Sequence, residues 1–253
     1  AVVAVTRLVV LQHLEREGPG LFAAEARARG WEVLICRLDE GAPVPPLGPQ
    51  DCLLVLGGPM GVADVGDPAF PWLAAELELL RQVLRRGQPV IGVCLGAQLL
   101  ALAAGGTAVP LLVGEPPRPL RELGFGAVSW LLDPAAEPLL RGLDAHELVL
   151  HWHGDRCLLP PQAELLASSL HCREQAFLLG PRAIGLQFHL ETTPEAVLAL
   201  LENCAQELEP GPWVQAAEAL LAMNDRAYAR IHRELERVLT DRKSTRLNSS
   251  HRT

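Results

Sequence analysis

The sequence predicts an α/β fold: an open, mostly parallel sheet flanked by helices on both faces, with antiparallel additions and a C-terminal helical extension. Three observations predict it. Short apolar runs alternate with helical patterns through the first hundred residues, the signature of strand–helix–strand units. Those runs are apolar at consecutive positions, as strands covered on both sides must be. In the second half the helical patterns give way to short strand-like runs separated by turns.

The elements follow in order. Residues 8–12 (LVVLQ) form a strand, and 20–29 (GLFAAEARAR) have helical spacing that stops at Gly30. Residues 31–38 (WEVLICRL) form a second strand, 41–50 a loop rich in Pro and Gly, and 52–56 (CLLVL) a third strand ending at Gly57-Gly58-Pro59. Residues 71–86 place Leu73, Leu77, Leu80 and Leu84 on one helix face, closed by Gly87. A fourth strand, 89–93 (PVIGV), runs into an Ala/Leu-rich helix over 95–104. Beyond it, 123–131, 147–152, 164–168, 175–179 and 183–188 read as strands, the last returning to the main sheet. Thr192 and Glu195 predict a capping box for a helix over 194–208. After Glu209-Pro210-Gly211-Pro212, residues 213–239 read as one long amphipathic helix or a bent pair. The domain organisation is then 1–209, a helical extension over 210–240, and a tail over 241–253.

That tail differs in composition from the rest. It holds Lys243, the only Lys of the chain, and Ser244, Ser249 and Ser250, half of all the Ser. Elsewhere the basic residues are all Arg, as a GC-rich gene favours, and 241–251 (DRKSTRLNSSH) resembles a translated sequencing adapter. We expect the tail to be non-native and the native C-terminus to be missing. The formal charge of −8 becomes −11 without it, because Lys plus Arg falls from 22 to 18 and Asp plus Glu from 30 to 29. An acidic chain with no basic run in its core is a poor nucleic-acid binder. No apolar run reaches the roughly 18 residues that span a bilayer. The apolar start, AVVAVTRLVVLQH, lacks the charged region and cleavage site of a signal peptide. The six cysteines include no C-x-x-C pair and lie mostly in apolar stretches, as reduced thiols do. These features predict a soluble, cytoplasmic protein.

Three motifs carry chemistry. Gly92-Val93-Cys94-Leu95-Gly96 places a Cys between glycines where the fourth strand meets a helix, the G-x-nucleophile-x-G elbow with Cys for Ser. The thiol would lie at a helix N-terminus, whose partial positive charge favours thiolate. Phe188-His189-Leu190-Glu191 closes a strand, and residues two apart share a face, so His189 and Glu191 can point to one site. A Cys–His–Glu triad would use His189 as base and acid and Glu191 to orient it. Gly57-Gly58-Pro59-Met60-Gly61 is a turn whose backbone N–H groups can face an oxyanion. All three fall at the C-terminal ends of parallel strands, where open α/β sheets place their sites.

With these blocks the chain resembles the triad-type class I glutamine amidotransferases, which have a flavodoxin-like sheet. GGPMGV (57–62), GVCLGAQLLA (92–101) and GLQFHLE (185–191) match that family's three hallmark blocks in order. The resemblance covers about residues 8–208. Within the family it is similar to stand-alone forms of the glutaminase domain of GMP synthase, a likeness to which LVLHWHGD (148–155) and ELGF (122–125) add. It implies Cys94, His189 and Glu191 as the triad and Gly58 and Leu95 as oxyanion-hole amides. It also implies substrate contacts from Gly57, Gln98, Gly154 and Asp155, with no cofactor and no metal. One departure is large: the chain has neither an S-G-G-x-D-S pyrophosphatase loop nor a P-loop. The resemblance therefore implies amide hydrolysis and does not show GMP synthesis.

The leading expectation is a glutaminase; a sharper form of it has the ammonia feed a separate synthetase subunit, with part of the apolar face of 213–239 docking that subunit or a second copy of the chain. The bland alternative packs that helix on its own domain. A second expectation is hydrolysis of other γ-glutamyl amides. A third, from a different class, is a metal-binding protein using His151 and His153, two apart on one strand, with His189 and Glu191.

Overall fold

The computed structural model describes residues 2–133, 135, 137–242 and 244–246. Nine strands form the main sheet, numbered here along the chain: β1 (Arg7–Gln12), β2 (Glu32–Arg37), β3 (Asp51–Val55), β4 (Val90–Val93), β5 (Glu122–Trp130), β6 (His146–His153), β7 (Glu164–Ser168), β8 (Ala176–Leu179) and β9 (Ala183–Leu186). Their spatial order is β6-β5-β7-β8-β9-β4-β3-β1-β2. The five strands from β9 to β2 are mutually parallel, and the four from β6 to β8 are antiparallel additions on the β9 side. The run after β8 does return to the main sheet, pairing parallel to β4.

Side-chain alternation divides the core into two layers. Leu8, Val10, Leu54, Ile91 and Val93 face a cluster that takes in Phe22 and Ala26 of α1 (Gly20–Ala28). Val9, Leu11, Leu53, Val55 and Val90 face the other layer, with α2 (Trp72–Arg86) and α3 (Leu95–Ala103). On α2, Leu73, Leu77 and Leu80 are buried, Leu84 packs partly buried, and Gly87 closes the helix at φ 63°.

One element differs from the sequence expectation, and a second takes one of the two forms expected for it. The cap of α4 (Pro194–Cys204) is Thr193, whose side chain accepts from the Ala196 N–H; Thr192 precedes it and is buried. Pro194 explains the choice, because proline suits the first helical position and so places the cap one residue earlier. The segment 213–239 is a bent pair: α5 (Ala217–Leu221) and α6 (Asp225–Arg242), entered through an extended stretch in which Leu123 donates to the Trp213 carbonyl and Gln215 donates to that of Leu123.

The face of α6 expected to dock a partner is occupied. Ile231, Leu235, Val238 and Leu239 are fully buried in the same cluster as Leu8 and Phe22, and Leu220 joins them. The helix covers α1 and β6, so its apolar stripe completes this domain's own core. Of the residues expected to dock, Leu221 remains exposed. Val2–Ala4 pairs antiparallel with Ser244–Arg246. Among the described residues no helix is long and apolar enough to cross a membrane.

Candidate functional site

The C-terminal ends of β3, β4 and β9 bring the three motifs together. Cys94 follows β4 directly and is the one described non-glycine residue with positive φ, at φ 54° and ψ −108°. Backbone contacts hold it there. A Cβ on Gly96 would lie 2.1 Å from the Val55 carbonyl oxygen, and one on Gly92 would lie 2.5 Å from the Gly96 oxygen. Strand β3 and the first turn of α3 therefore touch through main chain, and only glycine permits it. The Cys94 N–H donates to the Leu186 carbonyl at 2.8 Å, tying the elbow to the end of β9.

Strand β9 ends at Leu186, so His189 and Glu191 stand on the bend beyond it and not within a strand. A bridge to β6 still fixes the bend: His189 N–H donates to Leu150 O at 2.9 Å. The two side chains meet, with His189 Nδ1 2.6 Å from Glu191 Oε1. The opposite ring nitrogen is left for the Cys94 thiol, with which His189 also hydrogen bonds. Burial disfavours a charged imidazole here, but Glu191 and Cys94 outweigh it and raise the His189 pKa well above its ordinary value. The thiol also lies 3.8 Å from the Trp152 carbonyl and accepts from Gln187 Nε2 at 3.6 Å.

A cleft of about 620 Å³ opens on the thiol, lined by Gly58, Leu95, Gln98, Gly154 and Asp155 among others. These five share one cavity with Cys94 and His189, whereas Glu191 and Gly57 line the hollow on the other side of His189; a Cβ on Gly57 would lie 3.4 Å from Cys94 Cβ and from His189 Cε1. Gln98 is buried, and its amide nitrogen bonds Gln187 Oε1 at 3.3 Å. Asp155 opens a two-stranded ribbon with 107–110, which carries its carboxylate toward Gly61. On the far side of His189 lies a second hollow of about 260 Å³, lined by Arg16, Glu17, Leu150, Trp152 and Leu200.

Sequence reasoning missed four groups. Glu17 borders both cavities, and burial raises its carboxyl above the ordinary range against the pull of His189 and Arg16. His13 and Glu76 form a buried pair at 2.6 Å, and His13 Nδ1 stands 3.1 Å from the Gly57 carbonyl oxygen. Glu122 meets His151 and His153. The metal set expected from sequence is therefore divided: His151 and His153 converge on Glu122, while His189 is bonded to Glu191. Only the His13 position had a sequence signal, as a polar residue ending an apolar strand.

An open α/β sheet with a cysteine on a strand-to-helix elbow and helices on both faces is the flavodoxin-like fold of glutamine amidotransferases. Known proteins agree. The profile of "Glutamine amidotransferase class-I" matches residues 21–208, and the chain belongs to that family. It is 29% identical over 238 residues to the glutamine amidotransferase-like protein YfeJ of Salmonella typhimurium, covering 93% of this chain and 96% of that one. It is 37% identical over 134 residues to the glutamine-hydrolysing GMP synthase of Thermomicrobium roseum, 53% of this chain but 23% of that protein. Among solved structures, the glutamine amidotransferase from Methylobacillus flagellatus superposes with a TM-score of 0.84 at 28% identity, covering 99% of this chain and 100% of that one.

Proposed function

We propose that this chain hydrolyses the side-chain amide of glutamine through a cysteinyl thioester, with Cys94, His189 and Glu191 as its triad. The observation that carries the reading is the strained elbow of Cys94 facing an imidazole that Glu191 holds at 2.6 Å. His189 takes the Cys94 thiol proton as the sulfur attacks the amide carbon, and the carbonyl oxygen becomes an oxyanion. Two N–H groups serve it: that of Leu95, in the unpaired first turn of α3, and that of Gly58. His189 passes its proton to the departing nitrogen, so the C–N bond breaks to give ammonia and a γ-glutamyl thioester. A water, deprotonated by His189, attacks the thioester, releasing glutamate and restoring the thiol. Gln98, Gly154 and Asp155 line the part of the cleft that receives the amino-acid end of the substrate.

His13 has a role in this scheme. By bonding the Gly57 oxygen it fixes the peptide plane between Gly57 and Gly58, and so the direction of the Gly58 N–H, which points opposite to that oxygen. Glu76 holds the far side of the His13 ring. A second reading is favoured by the hollow beyond His189: the leaving amine would depart on that side, and space there suits γ-glutamyl amides with larger amines. One relative, from Ignicoccus hospitalis, is by name one subunit of a glutamine-hydrolysing GMP synthase, which supports delivery of ammonia to a separate synthetase chain.

Turnover of glutamine by the Cys94→Ala protein tests the assignment. Loss of activity with an unchanged melting temperature is expected, and retained turnover refutes it. Alkylation should select Cys94 as well, because burial pushes Cys52 and Cys172 up to about 12 and raises Cys36 and Cys204. Free substituted amines released from γ-glutamyl amides faster than ammonia from glutamine would favour the second reading.

A further inference from the structure

The Glu122, His151 and His153 cluster lies across the paired strands β5 and β6, next to the turn at Gly154 that lines the cleft, and all three residues are buried. Its hydrogen bonding leaves one buried ring nitrogen, His151 Nδ1, without a partner. His153 Nδ1 lies 2.8 Å from the Asp155 carbonyl oxygen, which can only accept, so Nδ1 carries the proton. The lone pair of His153 Nε2 then faces Glu122 Oε2 at 3.3 Å. His151 repeats the arrangement. It bonds the backbone of Gly126, against which its Nε2 edge is packed. Its Nδ1 stands 3.1 Å from the same Glu122 oxygen, yet without hydrogen-bond geometry, and so is buried without a partner.

One nitrogen of each imidazole and a carboxylate oxygen of Glu122 thus converge on one point, each ring oriented by a backbone carbonyl and, when neutral, presenting its lone pair there. That is how proteins prepare histidines for a metal, with the second nitrogen fixing the tautomer. The O···N separations of 3.1 and 3.3 Å match the edges of a tetrahedron whose metal–ligand bonds are about 2.0–2.1 Å. Glu122 Oε2 accepts from Gln175 at 2.9 Å and keeps its other lone pair for a cation, while Oε1 accepts from Ser169. A hollow of about 240 Å³ beside the cluster, lined by Glu122, His151, Ser169 and His171, gives an entry path and space for a fourth ligand. His171 Nε2 is itself buried without a partner.

We propose that Glu122, His151 and His153 bind one divalent transition-metal ion, zinc by preference, at a structural site between β5 and β6 and separate from the Cys94 thiol. Zinc fits because two neutral imidazoles and one carboxylate are a zinc ligand set. The test is to strip the full chain with a chelator and titrate it with cobalt(II), whose visible absorption reports tetrahedral coordination, then displace the cobalt with zinc. About one equivalent should bind, with a rise in melting temperature on adding zinc. His151→Gln and Glu122→Gln should weaken binding at least about 100-fold, more than loss of an outer-shell partner does. Cys94→Ala and His232→Ala should bind as the parent does; the second tests the other converging group, Glu25, His232 and Glu236. If the cluster variants fail to fold, the parent chain decides alone. A parent that takes up no cobalt and does not respond to zinc overturns the proposal. So does binding that survives His151→Gln, or that is lost in His232→Ala or Cys94→Ala.

Discussion

The His13–Glu76 pair allows catalysis and stability to be separated. Both side chains are fully inaccessible, and one oxygen of Glu76 has no partner. Removing His13 alone, as His13→Leu, leaves a buried carboxylate without its cation, which costs about 3–5 kcal/mol. For a domain of this size that is on the order of 10 °C in melting temperature. The double variant His13→Leu/Glu76→Leu removes both charges, and such replacements are often neutral or stabilising, so the melting temperature should return to near the parent value. Activity should not return. With nothing on the Gly57 oxygen, its peptide is free to turn and the Gly58 N–H loses its aim. Loss of one oxyanion donor costs roughly 10²–10³ in kcat, or about 2.7–4 kcal/mol. That is the ceiling for a donor that is misdirected and not deleted. KM should move little, because the oxyanion develops only in the transition state. Steady-state glutaminase assays beside thermal melts of the two variants provide the test. A double variant with restored stability and parental kcat would refute the positioning role.

Further outcomes follow from the same structure. His189→Ala should lower kcat by roughly 10⁴ or more, and Glu191→Gln by roughly 10², since one removes the base and the other its orientation; the reverse order would invalidate the roles given above. Glu234 on α6 is fully buried with both carboxylate oxygens unpartnered, and burial, then the charge of Glu147, raises its pKa well above the ordinary value. The unfolded chain ionises it near pH 4.5, so it lowers stability progressively as pH rises from there toward the raised folded value. Glu234→Met should therefore raise the melting temperature at pH 8 and have less effect at pH 4, and an equal effect at both would refute this. Deleting 241–253 should leave melting temperature and activity within error. Arg242 is buried with Nε and Nη1 unpartnered, so its burial is a cost that deletion relieves. A drop of more than a few degrees would show instead that the segment stabilises the fold.

The parts legible in the sequence are those with a local period or a local motif. Strands β1, β3 and β4 appear as consecutive apolar residues, and α2 as a leucine stripe closed by Gly87. The elbow is legible because Gly92 and Gly96 lie within a few residues of Cys94. Pairings between distant segments leave no such trace. His13 reaches Glu76 across 63 positions, and Glu122 reaches His153 across 31. The same limit explains α6: an amphipathic stripe shows that a helix covers something apolar, but not whether the covered surface belongs to its own chain. The bend carrying His189 and Glu191 was placed by i, i+2 reasoning for a strand that ends three residues earlier, and the pair meets all the same.

The contact between Gly96 and the Val55 carbonyl has a consequence for how such an enzyme can change. The position of Cys94, the proposed nucleophile, is set by main chain against main chain, so few side-chain replacements elsewhere can retune it. The cleft walls around Cys94 include the loop at Arg16–Glu17 and, around Gly154, the ends of two strands, all outside that junction. Selectivity can therefore drift, or be engineered, by rebuilding those segments while the thiol stays in register. A library confined to them should recover active enzymes with altered amide preference far more often than one that varies residues 92–96.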